Sequence, residues 1–473
     1  MKKQISICFS ALLLLFMSSC SRDEINESSS GDFNEKDYSV AKSAGDGIYD
    51  ILGHGYNATG EYANATAGGF KIIDLDRFKL EQSGRLITEN TLSQEFVEEY
   101  GENAETYSKM VSTKIDATAN IPLFTKTLSV AFNSAVTTNN KFDAKYIYGS
   151  YNLLIKQRRL RLNATTNMLG DYLTQEFTDD LQTKTPQQIV QDYGTHIAVD
   201  IYTGAKMDVK FQSETTNQNR ERAARIGVKV GMGDIFDINV TNDVNTSETN
   251  MNYSRKLSYR TRGGDPTVGL VGELNLDQTN PKINISNWQN SCNLSNAVLV
   301  DFSNNGLIFI YDVVKDPLKK AQLKAYVDQY LIDNKVNLDY VTNIYSYWNG
   351  IDHDHYYTPK YANNIGAWNY EFVAFKAPSK KIDDAVAVYS YWNDVDHDHY
   401  YSLVNASTMG GGKWKSDGVL FYAYNYQKGG TVPIYEYWNS TDSDHYYTVE
   451  NTPTAGGGKW QNSGVAFYAY PAN

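Results

Sequence analysis

The sequence predicts an α+β region built on unusually long strands, followed by an all-β region of three repeats. Three observations carry this. Six of the seven tryptophans lie after residue 340, leaving Trp288 alone before it. Trp348, Trp392 and Trp438 stand 44 and 46 residues apart, each inside a copy of one unit. Before them, apolar and polar residues alternate over stretches far longer than the usual strand of about five or six residues.

The chain of 473 residues allows two or three domains with cores of their own. Lys2 and Lys3, an apolar run from Ile5 to Met17 and the small residues of "MSSC" make residues 1–20 a signal peptide, too short to span a membrane. Cys20 at its end resembles a bacterial lipobox cysteine, which is lipidated and becomes the new N-terminus. Residues 21–44 are polar, nearly free of aliphatic side chains, and read as a flexible tether. Loss of Lys2 and Lys3 moves the formal charge from −12 to −14, which disfavours a nucleic-acid partner. With Cys20 lipidated, Cys292 stands alone, so apolar cores must hold the folds without disulfides.

Within 45–315, "TPQQIVQDYG" is a well-marked helix: Thr185 caps, Pro186 follows, Gln188 completes a capping box and Gly194 ends it. The period then changes. Ile197, Val199 and Ile201 alternate with polar neighbours, and the alternation resumes past Gly204, predicting one strand of about fifteen residues. "KFDAKYIYGSYNLLIKQRRLRL" and "YSRKLSYRTRGGDP" are further long strands, with Gly263–Gly264 as a bend. Asp316 and Pro317 open an amphipathic helix carrying Leu323, Val327, Tyr330 and Leu331, placed at 316–342 as the connection to the repeats at 343–473.

"YGTHIAVDIYTGA" resembles the signature of the membrane-attack-complex/perforin (MACPF) family. Tyr193, Gly194, Thr195, His196 and Gly204 match it; Ile197 stands for an aromatic residue and Ala205 for a second glycine. The resemblance covers roughly 45–315. It implies a bent antiparallel sheet flanked by two helical clusters, each of which unfurls into a β-hairpin when many subunits close a ring. The motif is structural in that family. No Ser or Cys nucleophile or paired acid sits near His196, so neither an enzyme nor a cofactor is expected.

The unfurling segments must suit both helix and membrane strand. "LFTKTLSVAFNSAVTT" places Phe124, Leu128, Ala131, Phe132 and Ala135 on one helical face, yet alternates as a strand. The second candidate reads better as a strand. Ile226, Val228, Val230 and Met232, then Phe236, Ile238 and Val240, alternate with Arg225, Gly227, Lys229, Gly231, Asp237 and Asn239 about a turn at Gly233–Asp234. Three glycines weaken a helix here. By pattern alone an ordinary half-buried hairpin is the better reading; the resemblance reverses that order and makes it a membrane-inserting hairpin.

Each repeat opens with "YWN", continues through Asp-His-Tyr-Tyr, and carries a second tryptophan, Trp368, Trp414 or Trp460, before an apolar-aromatic run. Threefold repetition at this length suggests a trefoil- or prism-like module. The units resemble tyrosine-rich repeats found as accessory modules on bacterial surface proteins. His353-x-His355 and His397-x-His399 could supply metal ligands, but Ser443 replaces the first histidine in the third copy, so no metal is expected. Two uses remain for Trp348, Asp354, His355, Trp392, Asp398, His399, Trp438, Asp444 and His445: buried scaffold, or glycan contact through stacking rings and hydroxyl-binding carboxylates.

The expectation is therefore an exported lipoprotein, at the outer membrane or cell surface or released from it. It would form a ring of its own copies on a target membrane, as antibacterial members of the family do, docked by lipid or glycan. The alternative is a non-lytic surface lipoprotein for adhesion or glycan binding.

Overall fold

In the computed structural model the described residues are 48–115, 121–138, 140–236, 238, 246–406, 409–452 and 458–472; Cys20 and the 21–44 tether lie outside them. The predicted fold class is the one found. The centre of the first part is a sheet of four long antiparallel strands: β1 (Leu86–Gly101), β2 (Ile147–Leu162), β3 (Asp200–Thr215) and β4 (Asn252–Arg262). β1 forms one edge, and the short strand Val271–Asn275 closes the other. The sequence reading missed β1, because "LITENTLSQEFVEEYG" lacks a continuous apolar face. Much of the strand is exposed, including Leu92 and Phe96.

The sheet bends where β3 changes partner. Lys206–Thr215 pair with β4, whereas Ile201–Gly204 pair with the strand Val298–Phe302. β4 ends at Arg262, and Gly263 and Gly264, at φ 69° and 75°, turn the chain away. Gly204 sits at this crossing, where a Cβ would lie 1.9 Å from the carbonyl oxygen of Ile155 on β2. The predicted single strand through 196–211 is in fact two. The N–H groups of Val199 and Asp200 both donate to Gly306 O, which interrupts the ladder, and His196–Ala198 joins a separate sheet with His54–Tyr56 and Leu307–Phe309.

Of the predicted hairpin at 225–241, residues 225–236 lie in a helix here, Arg220–Phe236. The sequence reading counted its glycines against a helix; the structure shows what they contribute. Gly227 and Gly231, one turn apart, face the sheet. A Cβ at Gly227 would stand 2.3 Å from the Phe211 ring, and one at Gly231 2.6 Å from Leu257 Cδ1. Close approach to β3 and β4 thus offsets a propensity cost of about 1 kcal/mol per glycine.

The connecting helix begins with the predicted cap, Asp316 accepting from Lys319 N, but it ends at Asp333. Leu323, Val327 and Leu331 are buried in the main core, so it packs as part of the body. Asn337–Asp339 then pair in parallel with Lys141–Asp143.

In the repeats each copy forms its own antiparallel three-stranded core. The triplets are Val341–Asn349, Asp354–Thr358 and Trp368–Pro378; Val386–Asn393, Asp398–Ser402 and Trp414–Ala423; and Val432–Asn439, Asp444–Thr448 and Gln461–Ala469. A trefoil would merge strands of all copies into one barrel, so the arrangement is prism-like. On the common axis Phe375, Phe421 and Phe467 meet edge-to-face at 5.6–5.7 Å.

Candidate functional site

Three sites bear on function: the sheet with the two links folded onto it, the axis of the repeats, and the clefts between repeats. Along β3 the faces differ sharply. Ala205, Met207, Val209 and Phe211 pack under the Arg220–Phe236 helix with Ala223, Ala224, Val228, Met232, Ile235 and Phe236. Lys206, Asp208, Lys210 and Gln212 point the other way and are also buried. Asp208 there receives Lys206 Nζ at 2.8 Å and Arg262 Nη2 at 3.0 Å. Burial alone would raise the Asp208 carboxyl; Lys206, Lys210 and Arg262 together hold it well below the usual range. Glu99 on β1 is held at about 2 in the same way, with burial overcome by Lys114 and Lys206. This ionic face was not legible in the sequence, because its members come from four separate strands and loops.

Both links join antiparallel neighbours at one end of the sheet. Gly101 pairs beside Tyr148, Ile147 beside Ser213, and Thr215 beside Asn252. The first link, between β1 and β2, carries the helices Ala104–Ser112 and Thr125–Ser129. Phe124, Leu128, Ala131, Phe132 and Ala135 are all buried, but the second helix has only five residues before a 3₁₀ turn at Asn133–Ala135. The second link, between β3 and β4, carries the Arg220–Phe236 helix. Ile226, Val228, Met232 and Phe236 are buried and Val230 is half-buried on it; Ile238 packs against the same core, and Val240 and Asp237 lie outside the described residues. Lys229 is buried, its Nζ 3.4 Å from Glu98 of β1. Arg220 at the start of this helix donates to the carbonyls of Glu102, Ala144 and Lys145, tying the two links together.

The signature residues Tyr193 to His196 lie just before β3, and Gly204 lies within it. Gly194, at φ 86°, ends the Pro186–Tyr193 helix. The Thr195 hydroxyl accepts from Ala58 N and donates to Tyr56 O, and His196 Nδ1 lies 2.8 Å from that hydroxyl with its ring against Phe309. They fasten helix, loop and strand together.

On the repeat axis the three Asp–His pairs interlock. Asp444 Oδ2 lies 2.6 Å from His355 Nδ1, Asp354 from His399 and Asp398 from His445, while each Oδ1 accepts the same histidine's backbone N–H at 3.0–3.1 Å. One layer away, each of Tyr357, Tyr401 and Tyr447 binds the backbone N–H and carbonyl of the next, closing a second ring. Burial drives all three phenols well above their usual value.

Asp354, Asp398 and Asp444 are thus fully buried scaffold, which corrects the expectation that they touch glycan. Their carboxylates do converge, with oxygens within 4.8 Å of one another, a donor set that could hold a cation. Both oxygens of each already accept a hydrogen bond from histidine. A chelator is expected to leave the melting temperature of the repeats unchanged, as followed by tryptophan fluorescence. His353 and His397 occupy left-handed turn positions at φ 57° and 54°, with Ser443 at 56°. The third copy thus keeps the same turn conformation without the histidine.

The clefts between repeats bring together what the sequence kept apart. Tyr356 and Trp368 of the first copy face His399 of the second at 4.9 and 6.0 Å, with Trp392 tilted against it from behind at 4.6 Å. Tyr400, Trp414 and His445 repeat this, as do Tyr446, Trp460 and His355, backed by Trp438 and Trp348 respectively. The first cleft encloses about 330 Å³ and includes Ser390 and Asp417. Trp348, Trp392 and Trp438, named from sequence, therefore back the histidines, and the second tryptophans form the open walls. Their recurrence in every copy was the available signal.

The MAC/Perforin domain family matches residues 45–339, and a domain of unknown function, DUF5648, matches residues 342–470. A comparison with curated proteins finds no match. Among solved structures, a MAC/Perforin-domain protein of Bacteroides thetaiotaomicron VPI-5482 is similar at TM-score 0.50 and 15% identity, over 70% of this chain and 67% of that one. GNIP1Aa from Chromobacterium piscinae aligns at TM-score 0.49 and 16% identity, over 89% of this chain and 92% of that one. The chain belongs to the MAC/Perforin domain family, whose fold is that of perforin-like pore formers.

Proposed function

We propose that this protein is a pore former that assembles into a ring of its own copies on a target membrane, with the repeats docking it to surface glycans and Cys20 anchoring it at the producing cell's surface until release. A competitor's membrane is the target that fits an antibacterial role. The observation that supports this best is the placement of the two links. Each joins paired antiparallel strands at the same end of the sheet, so each, once extended, lengthens the sheet as a hairpin. Divided into two arms, even the shorter link gives roughly 18 residues each, about 60 Å of strand at ~3.3 Å per residue. The hydrocarbon core of a bilayer is about 30 Å thick. No helix among the described residues is long and apolar enough to cross a membrane, and hairpins do not require one.

Purified protein is expected to release dye from liposomes or from cells in a panel of related and unrelated bacteria, with ring-shaped oligomers visible by electron microscopy. Binding without release or rings on every target tested would leave the adhesion reading instead.

The first link is also clamped from outside. Lys141–Asp143 pair with Asn337–Asp339, Asn337 N donates to Asn140 O, and Val336 N donates to Pro122 O. This pairing must break before the link can extend. A disulfide between cysteines at the paired positions, Lys141→Cys with Asn337→Cys, should suppress dye release at least tenfold until a reductant is added. Equal release from the oxidised and reduced forms would show that this link stays folded.

A further inference from the structure

The three inter-repeat clefts share one feature beyond their aromatic walls: an acid beside a hydroxyl on neighbouring strands. In the first copy Ser346 Oγ donates to Glu371 at 2.8 Å, and in the second Ser390 donates to Asp417 at 3.3 Å. In the third the two are exchanged, with Glu436 at the serine position and Ser463, its hydrogen-bond donor, at the acid position. The carboxylate has changed strands and stayed in the cleft. A hydroxyl of a neutral sugar needs an acceptor at about 2.7–3.2 Å in a fixed direction, which such an exchange would spoil. Attraction to a positive charge falls only as 1/r and tolerates it.

Other groups in the cleft agree. Each histidine places its Nδ1 2.6 Å from an axial carboxylate, which fixes a proton there and leaves the Nε2 edge toward the cleft, where His355 Nε2 lies 3.8 Å from Glu371. Tyrosine and tryptophan faces attract cations and also stack on a pyranose. Burial pushes the Glu436 carboxyl up, against the pull of His445 and the hydrogen bonds of Ser463 and Tyr447. The protein as a whole carries a formal charge of −12.

We propose that each cleft binds an amino sugar, a pyranose with a free ammonium group, the ring against the tryptophan and the ammonium at the carboxylate. This rests on the glycan-docking reading and narrows it. Three equivalent clefts around one axis suit a clustered or polymeric ligand, whose second and third contacts form at high effective concentration.

The test uses the full chain and three β-1,4-linked hexamers: glucosamine, N-acetylglucosamine and glucose, with hexalysine as a charge control. The glucosamine hexamer should bind at least tenfold tighter than the other two sugars and than hexalysine. The combined variant Glu371→Gln, Asp417→Asn, Glu436→Gln, with unchanged circular dichroism, should lose that preference. Trp368→Ala should weaken the sugar while leaving hexalysine unaffected. Equal binding of all three sugars would overturn the charge inference and leave glycan docking standing. Equal binding of hexalysine, or full glucosamine binding by the acid-free variant, would overturn it as non-specific attraction. If no hexamer binds while the protein still attaches to target cells, the charge inference and the glycan-docking reading fall together.

Discussion

Val230→Arg is expected to abolish dye release while leaving the protein folded and able to attach to target cells. In the folded form Val230 is half-buried on the Arg220–Phe236 helix, so a longer side chain can run out to solvent. In an extended hairpin it shares the lipid face with Ile226, Val228 and Met232. A charge near the bilayer midplane there costs about 2–4 kcal/mol. Every subunit carries that cost, so a ring multiplies it, and release should fall by at least a hundredfold. The matched control on the opposite face is Lys229→Gln. Charge reversal at Lys229 is unsuitable, because Glu98 stands 3.4 Å from its ammonium and would repel the new carboxylate before any membrane is met.

Asp398→Ala is expected to destabilise the repeats by about 3 kcal/mol, since it leaves the part-buried Nδ1 and backbone N–H of His445 without their acceptor. The same residue makes stability depend on pH. Burial raises the Asp398 carboxyl to about 6, against the pull of His445 and with a further push from Asp354. An acid raised in the folded state binds protons that the unfolded chain does not, so its contribution is present below the ordinary aspartate pKa of about 4 and is lost as pH rises through about 6. The repeats should therefore gain stability from this group as pH falls from 7 towards 5, and Asp398→Asn should flatten that dependence. Melting curves of both variants between pH 5 and 8 check this; an unchanged slope in Asp398→Asn would place the pH dependence elsewhere.

Much of this was legible in the sequence where one local rule decided the outcome. Thr185, Pro186 and Gln188 gave a helix start through capping alone, and the threefold "YWN" spacing gave the repeats. Reading failed where a distant partner decided. Gly227 and Gly231 look like helix breakers until Phe211 and Leu257 are placed against them. β1 looks like loop because its exposed edge needs no apolar face. Asp354, Asp398 and Asp444 have the composition of a sugar site, and only the meeting of three copies on one axis buries them. The clefts were invisible for the same reason: Tyr356 and His399 are neighbours in space and lie in different repeats.

The most direct measurement of membrane entry is an alternation scan of the second link. In a Cys292→Ala background of the mature chain, single cysteines at Arg225, Ile226, Val228, Lys229, Val230 and Met232, leaving out the close-packed Gly227 and Gly231, are labelled with an environment-sensitive dye and mixed with susceptible membranes. Insertion as a hairpin predicts a period of two: labels at Ile226, Val228, Val230 and Met232 enter lipid and are quenched by a lipid-borne quencher, while those at Arg225 and Lys229 are not. A period near 3.6, or no change at any position while the membranes leak, would contradict it.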